Sequence, residues 1–173
     1  GEMDGRIEIC NQREVGGEQV ADIKVSSSQL KGIAIPADRA PSMIDEYPIL
    51  CIAAAMANGP TLMVNIGELR HKEADRIAIM AKGLRLAGVN VDETETTMRV
   101  FGTKTGNRNS FVKGGFKIHS EHDHRIAMSF LTLGLVSSDR IIVNGVSTIE
   151  TSFPGFVELI NRHGARISHV NNY

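Results

Sequence analysis

Apolar and polar positions along this chain switch between a period near 3.6 and a period near 2, and they do so twice in the same order. In the first half, "DEYPILCIAAAMANG" (45–59) predicts a small-residue, apolar helix, and "PTLMVNIGEL" (60–69) a strand. "KEADRIAIMAKGLRLAG" (72–88) then predicts an amphipathic helix stopped at Gly88, with "VNVDETETTMRVFG" forming a hairpin after it. The second half repeats the series. "DHRIAMSFLTLGLVSS" (123–138) predicts the apolar helix, "DRIIVNGVSTI" (139–149) the strand, "SFPGFVELINRHG" (152–164) the second helix and "ARISHV" a closing strand. Val64-Asn65 and Val143-Asn144 fall at matching places, and each unit is led by a strand, "LKGIAIP" (30–36) or "GGFKIHS" (114–120).

The fold class is therefore α/β, with a repeated β-α-β-α-β-β unit. One such unit cannot bury both of its faces, so copies are expected to stack around a shared core of helices. "GRIEICNQREVGGEQVADIKVSS" at the front reads as two strands about a Gly-Gly turn, the tail of a further copy whose helices would lie upstream. This divides the chain into 1–29, the end of an incomplete unit; 30–113, a first complete unit; and 114–173, a second. "FGTKTGNRNSFVKGG" (101–115) reads as a turn or loop. With the half-unit, an opening Gly1 in place of Met creates the expectation that the chain is a piece of a larger lobe.

Composition narrows the function. At 173 residues and 42% hydrophobic, the chain suits one well-buried domain. A net charge of −1 provides no basic field for nucleic acid or acidic membrane, and 5% aromatics without Trp leaves no base-stacking surface. Cys10 and Cys51 lie in unlike settings, which points to a reducing cytoplasm rather than a disulfide framework. No apolar run approaches the roughly 20 residues that span a bilayer.

Charge gathers where helices begin. In "HSEHDHRIAM" (119–128), His119, His122 and His124 lack a recognised zinc spacing. Asp123 instead sits where an N-cap belongs, placing His124 and Arg125 in the first turn. A guanidinium beside free amides makes a phosphate or carboxylate pocket; the plainer alternative is a capped helix with a solvated arginine. In "LRHKEADRIAIM" (69–80), Arg70, Lys72, Glu73 and Arg76 crowd the beginning of the other long helix, with Lys72 and Arg76 four residues apart on one face, as are Glu73 and Arg76 at a spacing of three. Two cations in a first turn call for a counter-charge, and Glu73 among them could shuttle a proton; a self-neutralised surface is the alternative. Asp45 either caps an Ala-rich helix or, set beside the basic helix starts, holds a hydroxyl and takes its proton. In "ETSFPGF" (150–156), Thr151 or Ser152 is expected to cap a helix carrying Pro154 in its first turn. Four helix starts placed by one repeat should face one end of the lobe, where a polyanion would fit.

"LRHKEADRI" and "DHRIAMSF", with "DEYPIL" before them and "TSFPGF" after, resemble the enolpyruvyl transferases over nearly all of residues 22–167. The paired K-E-x-x-R and D-H-R-x-A-M motifs resemble the branch that acts on shikimate 3-phosphate rather than on a UDP-sugar. This resemblance implies two lobes, each an inverse α/β barrel of three units, with this chain forming most of the C-terminal one. It implies transfer of the enolpyruvyl group of phosphoenolpyruvate to the 5-hydroxyl of shikimate 3-phosphate, with no metal or organic cofactor. The missing N-terminal lobe is then a partner that the isolated chain needs for turnover. It further implies Asp45 as hydroxyl holder and proton acceptor, Glu73 as proton donor to the methylene carbon, and Lys72 between the substrates. Arg76 and Arg125 would clamp phosphoenolpyruvate, while Asp123 and His124 support Arg125. Two positions depart from the family pattern: Thr151 stands where many members carry lysine, and Glu68 where some carry asparagine.

Overall fold

The computed structural model describes residues 1–103 and 112–170. β1 (Arg6–Val15) and β2 (Glu18–Ser26) form an antiparallel hairpin. Gly16 and Gly17 turn it, both at positive φ (61° and 87°), as a two-residue hairpin turn demands. Pairing of Ile7 with Val25 and Ile9 with Ile23 puts four apolar side chains on one face of the ribbon, each at least half exposed. Among the described residues, the hairpin hydrogen-bonds as a sheet only to itself.

After the hairpin, in the first expected unit, the chain passes through the short α1 (Ala40–Met43) and α2 (Tyr47–Ala55) to β3 (Pro60–Met63). The expected leading strand is an extended run with isolated parallel bridges, Lys31 to Asn58 and Ala34 to Leu62. α3 (Arg76–Leu86) follows, then β4 (Asn90–Glu93) and β5 (Met98–Phe101), which give an antiparallel sheet in the order β3-β5-β4. α3 ends in a paired backbone cap: Gly88 N–H donates to Arg85 O at 3.0 Å and Val89 N–H to Leu84 O at 2.9 Å, with Gly88 at φ 78°. The second unit has β6 (Lys117–His119), α4 (His124–Gly134) and β7 (Ile142–Asn144), with β6 parallel to β7. After it come α5 (Ile149–Ser152) and α6 (Phe156–Arg162).

Four expectations are corrected. The strand predicted over 60–69 stops at Met63, because Asn65 adopts a left-handed conformation (φ 59°) and a 3-10 turn takes over at Gly67–His71. The helix predicted from residue 72 starts at Arg76, with Asp75 as its cap, so Lys72 and Glu73 lie on a bend before it and share no helical face with Arg76. The single helix over 152–164 is two pieces, broken at Phe153–Gly155 where Gly155 turns left-handed (φ 74°). "ARISHV" forms no strand over its described residues. Asn161 holds it instead, accepting from Ile167 N–H at 2.9 Å and donating to Ile167 O at 2.8 Å. The predicted loop at 101–115 falls largely on 104–111, outside the described residues.

One apolar core joins the units: Cys51, Ile52 and Ala55 of α2, Ile77, Met80 and Leu84 of α3, and Ile126, Phe130 and Leu133 of α4 are all buried. Burial pushes the Cys51 thiol up to about 12, and its sulfur sits 3.7 Å from Met63 Sδ and 3.5 Å from Met98 Sδ. α3 and α4 approach through Gly83, whose missing side chain leaves room for the Phe130 ring. Adding a methyl at Gly83 would drive into a ring with 0% exposure, whereas one at Gly134 would meet open space. Gly83→Ala should therefore destabilise the chain by about 1–3 kcal/mol despite alanine's helix preference. Gly134→Ala should stabilise it by up to about 1 kcal/mol. Urea unfolding of both variants measures this; equal effects of one sign would show that the Gly83–Phe130 contact does not govern the packing.

Candidate active site

Three carboxylates from separate parts of the chain meet on one guanidinium. Arg76, at 1% exposure, donates from Nε to Asp123 Oδ2 at 2.7 Å, from Nη1 to Asp45 Oδ1 at 2.9 Å and from Nη2 to Glu73 Oε2 at 2.7 Å. Burial works against the Arg76 charge, but the Asp123 hydrogen bond and attraction, followed by those of Asp45 and Glu73, raise its pKa above the ordinary value.

Each partner is delivered by local structure. Asp123 is the cap expected of it: Oδ1 accepts the amides of Arg125 and Ile126 at 2.9 and 3.2 Å, which leaves Oδ2 for Arg76. The sequence had pointed Asp123 at Arg125. Its carboxylate touches only the Arg125 backbone, and the side chain it fixes is Arg76. Asp45 is not a helix cap. It lies in a 3-10 turn (Ile44–Glu46) ahead of α2, whose cap position is Glu46 with no side-chain capping bond. Freed from capping, Asp45 faces Arg76 at 2.9 Å, Lys72 Nζ at 3.8 Å and Arg125 Nη2 at 3.8 Å. Burial would raise the Asp45 pKa, but the Arg76 hydrogen bond and the charges of Arg125 and Lys72 outweigh it and hold the carboxyl below its usual range.

Lys72 Nζ sits 2.6 Å from Glu68 Oε1, and this contact is the main cause of the upward shift of its pKa. Arg125 Nη1 donates to Asp45 O at 2.9 Å and to Glu46 Oε1 at 3.1 Å. Asp45, Lys72, Glu73, Arg76, Asp123 and Arg125 thus form one cluster, Lys72, Arg76 and Arg125 meeting on Asp45, and Glu73 and Asp123 on Arg76. Asp45, His124 and Arg125 also line a cavity of about 410 Å³, which Ile49, Met128, Phe153 and Phe156 line as well. Thr151 stays outside the cluster; it is exposed on α5, where its hydroxyl donates to Thr148 O at 3.0 Å, and it caps nothing. Ser152 beside it reaches the cavity wall. Glu46 as partner of Arg125, Asp75 as the true cap of α3 and the aromatic wall were missed. The Asp just before the apolar run at 76–80 was the available signal for Asp75; the aromatic wall had none, because packing alone creates it.

The histidines at 119 and 122 pack edge to face with ring centroids 5.5 Å apart, and His119 Nδ1 accepts the Glu121 amide at 3.0 Å. Among the described residues, no group of three or more His, Cys, Asp or Glu is arranged to hold a metal ion.

Repeated β-α-β pairs with converging charged helix starts define a lobe of the enolpyruvyl transferase type. Residues 2–160 match the family model described as EPSP synthase (3-phosphoshikimate 1-carboxyvinyltransferase), and the chain belongs to that family. It is 52% identical over 164 residues to the 3-phosphoshikimate 1-carboxyvinyltransferase of Parvibaculum lavamentivorans, covering 95% of this chain and 35% of that protein. The corresponding enzyme of Paramagnetospirillum magneticum is 49% identical over 98% of this chain and 37% of its own length. Among solved structures, an EPSP synthase from Acinetobacter baumannii superposes with a TM-score of 0.88 at 46% identity, covering 93% of this chain and 36% of that one. The enolpyruvyl transferase NikO from Streptomyces tendae shares the fold, with a TM-score of 0.64 at 19% identity over 95% of this chain and 34% of its own. The chain thus spans a little over a third of the length of these relatives, and its fold is the inverse α/β barrel of the family.

Two consequences of the cluster can be measured. Asp123→Asn keeps a capping oxygen but removes the buried charge facing Arg76, and should cost about 3–5 kcal/mol in urea unfolding. Glu73→Gln, at a half-exposed position, should cost less than about 1 kcal/mol. Equal losses would mean that Arg76 does not depend on its buried partner. For Asp45, the lowered pKa means a stabilising contribution that is complete above pH 3.8, the ordinary value, and lost as pH falls through the folded value. Acid unfolding followed by circular dichroism should therefore remove more stability from the native chain than from Asp45→Asn; parallel curves would contradict the ion pairing.

Proposed function

We propose that this chain supplies the phosphoenolpyruvate side of an enzyme that transfers an enolpyruvyl group to the 5-hydroxyl of shikimate 3-phosphate and releases phosphate. The observation that carries the reading is the convergence of Lys72, Arg76 and Arg125 on Asp45, within 3.8, 2.9 and 3.8 Å. Three cations gathered on one carboxylate are already placed for a small polyanion.

The resting cluster satisfies these cations internally, so an incoming phosphate and carboxylate must exchange with protein acids. Glu46, Glu68 and Glu73 are more than half exposed in their side chains and can turn outward into water; Asp123, at 0%, cannot. Arg125 and Lys72 then move their charge onto the substrate. Arg76, sealed behind Glu73 and Asp45, reaches it once Glu73 leaves its nitrogen, and Glu73 turns from Arg76 toward the bound substrate rather than staying in water. Losing these cations raises the proton affinity of Asp45, which turns a stably ionised carboxylate into a usable base. Asp45 accepts the hydroxyl proton as that oxygen bonds to C2 of phosphoenolpyruvate, and Glu73 delivers a proton to C3, which gives a tetrahedral adduct. The Glu73 carboxylate then takes a proton back from C3 as phosphate departs from C2, which restores the carbon–carbon double bond in the product. Asp123 acts by holding the first turn of α4, and His124 by lining the cavity beside Arg125; Thr151 takes no part. No metal or organic cofactor takes part in this scheme.

The division at residues 29/30 and 113/114, a cytoplasmic setting and a second lobe supplied by the rest of a longer protein belong to the same proposal. Two free cysteines and the absence, among described residues, of a helix long and apolar enough to cross a membrane are consistent with it. The test is a phosphate-release assay with both substrates, using the chain alone and the chain joined to the part of the Parvibaculum lavamentivorans relative that it does not cover. Turnover should appear only in the joined protein. Robust turnover by the 173-residue chain alone would refute the need for a second lobe, and none from the joined protein would refute the activity. In the joined protein, Glu73→Gln should lower kcat by about 10²–10⁴-fold, the usual span for one general acid. Unchanged turnover would remove Glu73 from the chemistry.

A further inference from the structure

Arg70 is absent from the cluster just described, yet its guanidinium is among the most fully bonded in the chain. At 17% side-chain exposure it donates from Nη1 to Asp75 Oδ2 at 2.7 Å, from Nη2 to Thr94 O at 2.7 Å and from Nε to Glu95 O at 3.2 Å. Glu95 Oε2 lies 3.3 Å from Nε and Glu93 Oε2 lies 3.7 Å from Nη2. The Glu93 oxygen is buried with no hydrogen-bond partner, so the nearby guanidinium supplies its counter-charge.

These contacts have one geometric effect. Asp75 is shared: Oδ1 accepts the Ala78 amide at 2.9 Å and caps α3, while Oδ2 takes Arg70. The Arg70–Asp75 pair therefore closes the segment between them into a short loop and fixes it to the start of α3. The two carbonyl contacts pin that loop to the β4–β5 turn. Lys72 and Glu73 occupy its tip, on a bend with no helical or strand hydrogen bonds of its own.

We infer that Arg70 is a positioning residue: clamped between the α3 cap and the β4–β5 turn, it holds the loop that carries Lys72 and Glu73 against Asp45 and Arg76. The inference rests on the functional reading above for its kinetic consequence, but not for its structural one. A fork of donors is needed, because one ammonium cannot reach the Asp75 carboxylate and both carbonyls at once.

Arg85 provides the control. It donates to the other Glu93 oxygen at 2.9 Å and to Val91 O at 2.8 Å, binding α3 to the same strand without touching the loop. Arg70→Ala, Arg70→Lys and Arg85→Ala are compared by thermal unfolding, by backbone ¹⁵N order parameters of the 173-residue chain and by phosphate release in the joined protein. Arg70→Ala should lower the order parameters of His71–Ala74 from rigid values of about 0.85 to below about 0.6. It should also lower kcat at least tenfold while leaving KM for shikimate 3-phosphate within twofold. Arg70→Lys should fall between Arg70→Ala and the native protein in both readouts. Arg85→Ala should lower the unfolding temperature similarly and leave loop order and kcat within twofold of native. Unchanged loop order in Arg70→Ala, or a kcat loss equal to that of Arg85→Ala, overturns the assignment. If the unsubstituted joined protein releases no phosphate, the functional reading fails instead, and the order parameters alone decide whether Arg70 holds the loop.

Discussion

The buried guanidinium of Arg76 is the constraint on which the arrangement depends. A cation withdrawn from water at 1% exposure is tolerable only with well-placed partners, and Arg76 has one on each of its three nitrogens. Asp123 belongs to the second repeat unit, whereas Asp45 and Glu73 belong to the first. The pairing therefore ties the two units together at the end of the lobe where their helices begin. Below it, the same units share an apolar core through α2, α3 and α4, so the polar junction and the packed interior specify one relative placement.

Around this junction the counter-charges differ in how easily they can leave. Asp123 is inaccessible and engaged by two backbone amides as well as Arg76. Glu46, Glu68 and Glu73 each meet a cation with one carboxylate while the rest of the side chain faces water, so each can be exchanged for a ligand's oxygens at little expense in stability. Asp45 stands between the two groups, touched by three cations and half-buried. A site with more carboxylates than cations at rest, and an excess of cations once its mobile acids turn away, suits a ligand more negative than any single side chain. It also avoids leaving three unpaired cations facing one another.

The repeat explains why the cluster forms at one end. In both units an extended run lies parallel to the strand after the first helix: the 30–35 segment against β3, and β6 against β7. That β-α-β geometry sends the starts of α2 and α4 the same way, and the cap of α3 joins them. The units then diverge. The first closes with the β4–β5 hairpin, while the described tail of the second is held by Asn161 and adds no strand.

The sequence by itself determined the order of the main helices, the glycine stop of α3, the front hairpin and the Asp123 cap, because each depends on a few adjacent residues and their backbone preferences. It also picked out Asp45, Lys72, Glu73, Arg76 and Arg125 as charges placed at helix starts. Tertiary structure decided their partners. Whether Asp45 caps α2 or faces Arg76 turns on a 3-10 turn that no local preference announces. That Asp123 serves Arg76 rather than the Arg125 side chain follows from how α3 and α4 lie on their common core. The start of α3 at Arg76 rather than Lys72 reflects Asp75 held by Arg70 and the β4–β5 turn, an interaction across more than twenty residues of chain. Periodicity records which face of an element is buried; it carries no record of which charges from other elements are brought against its end.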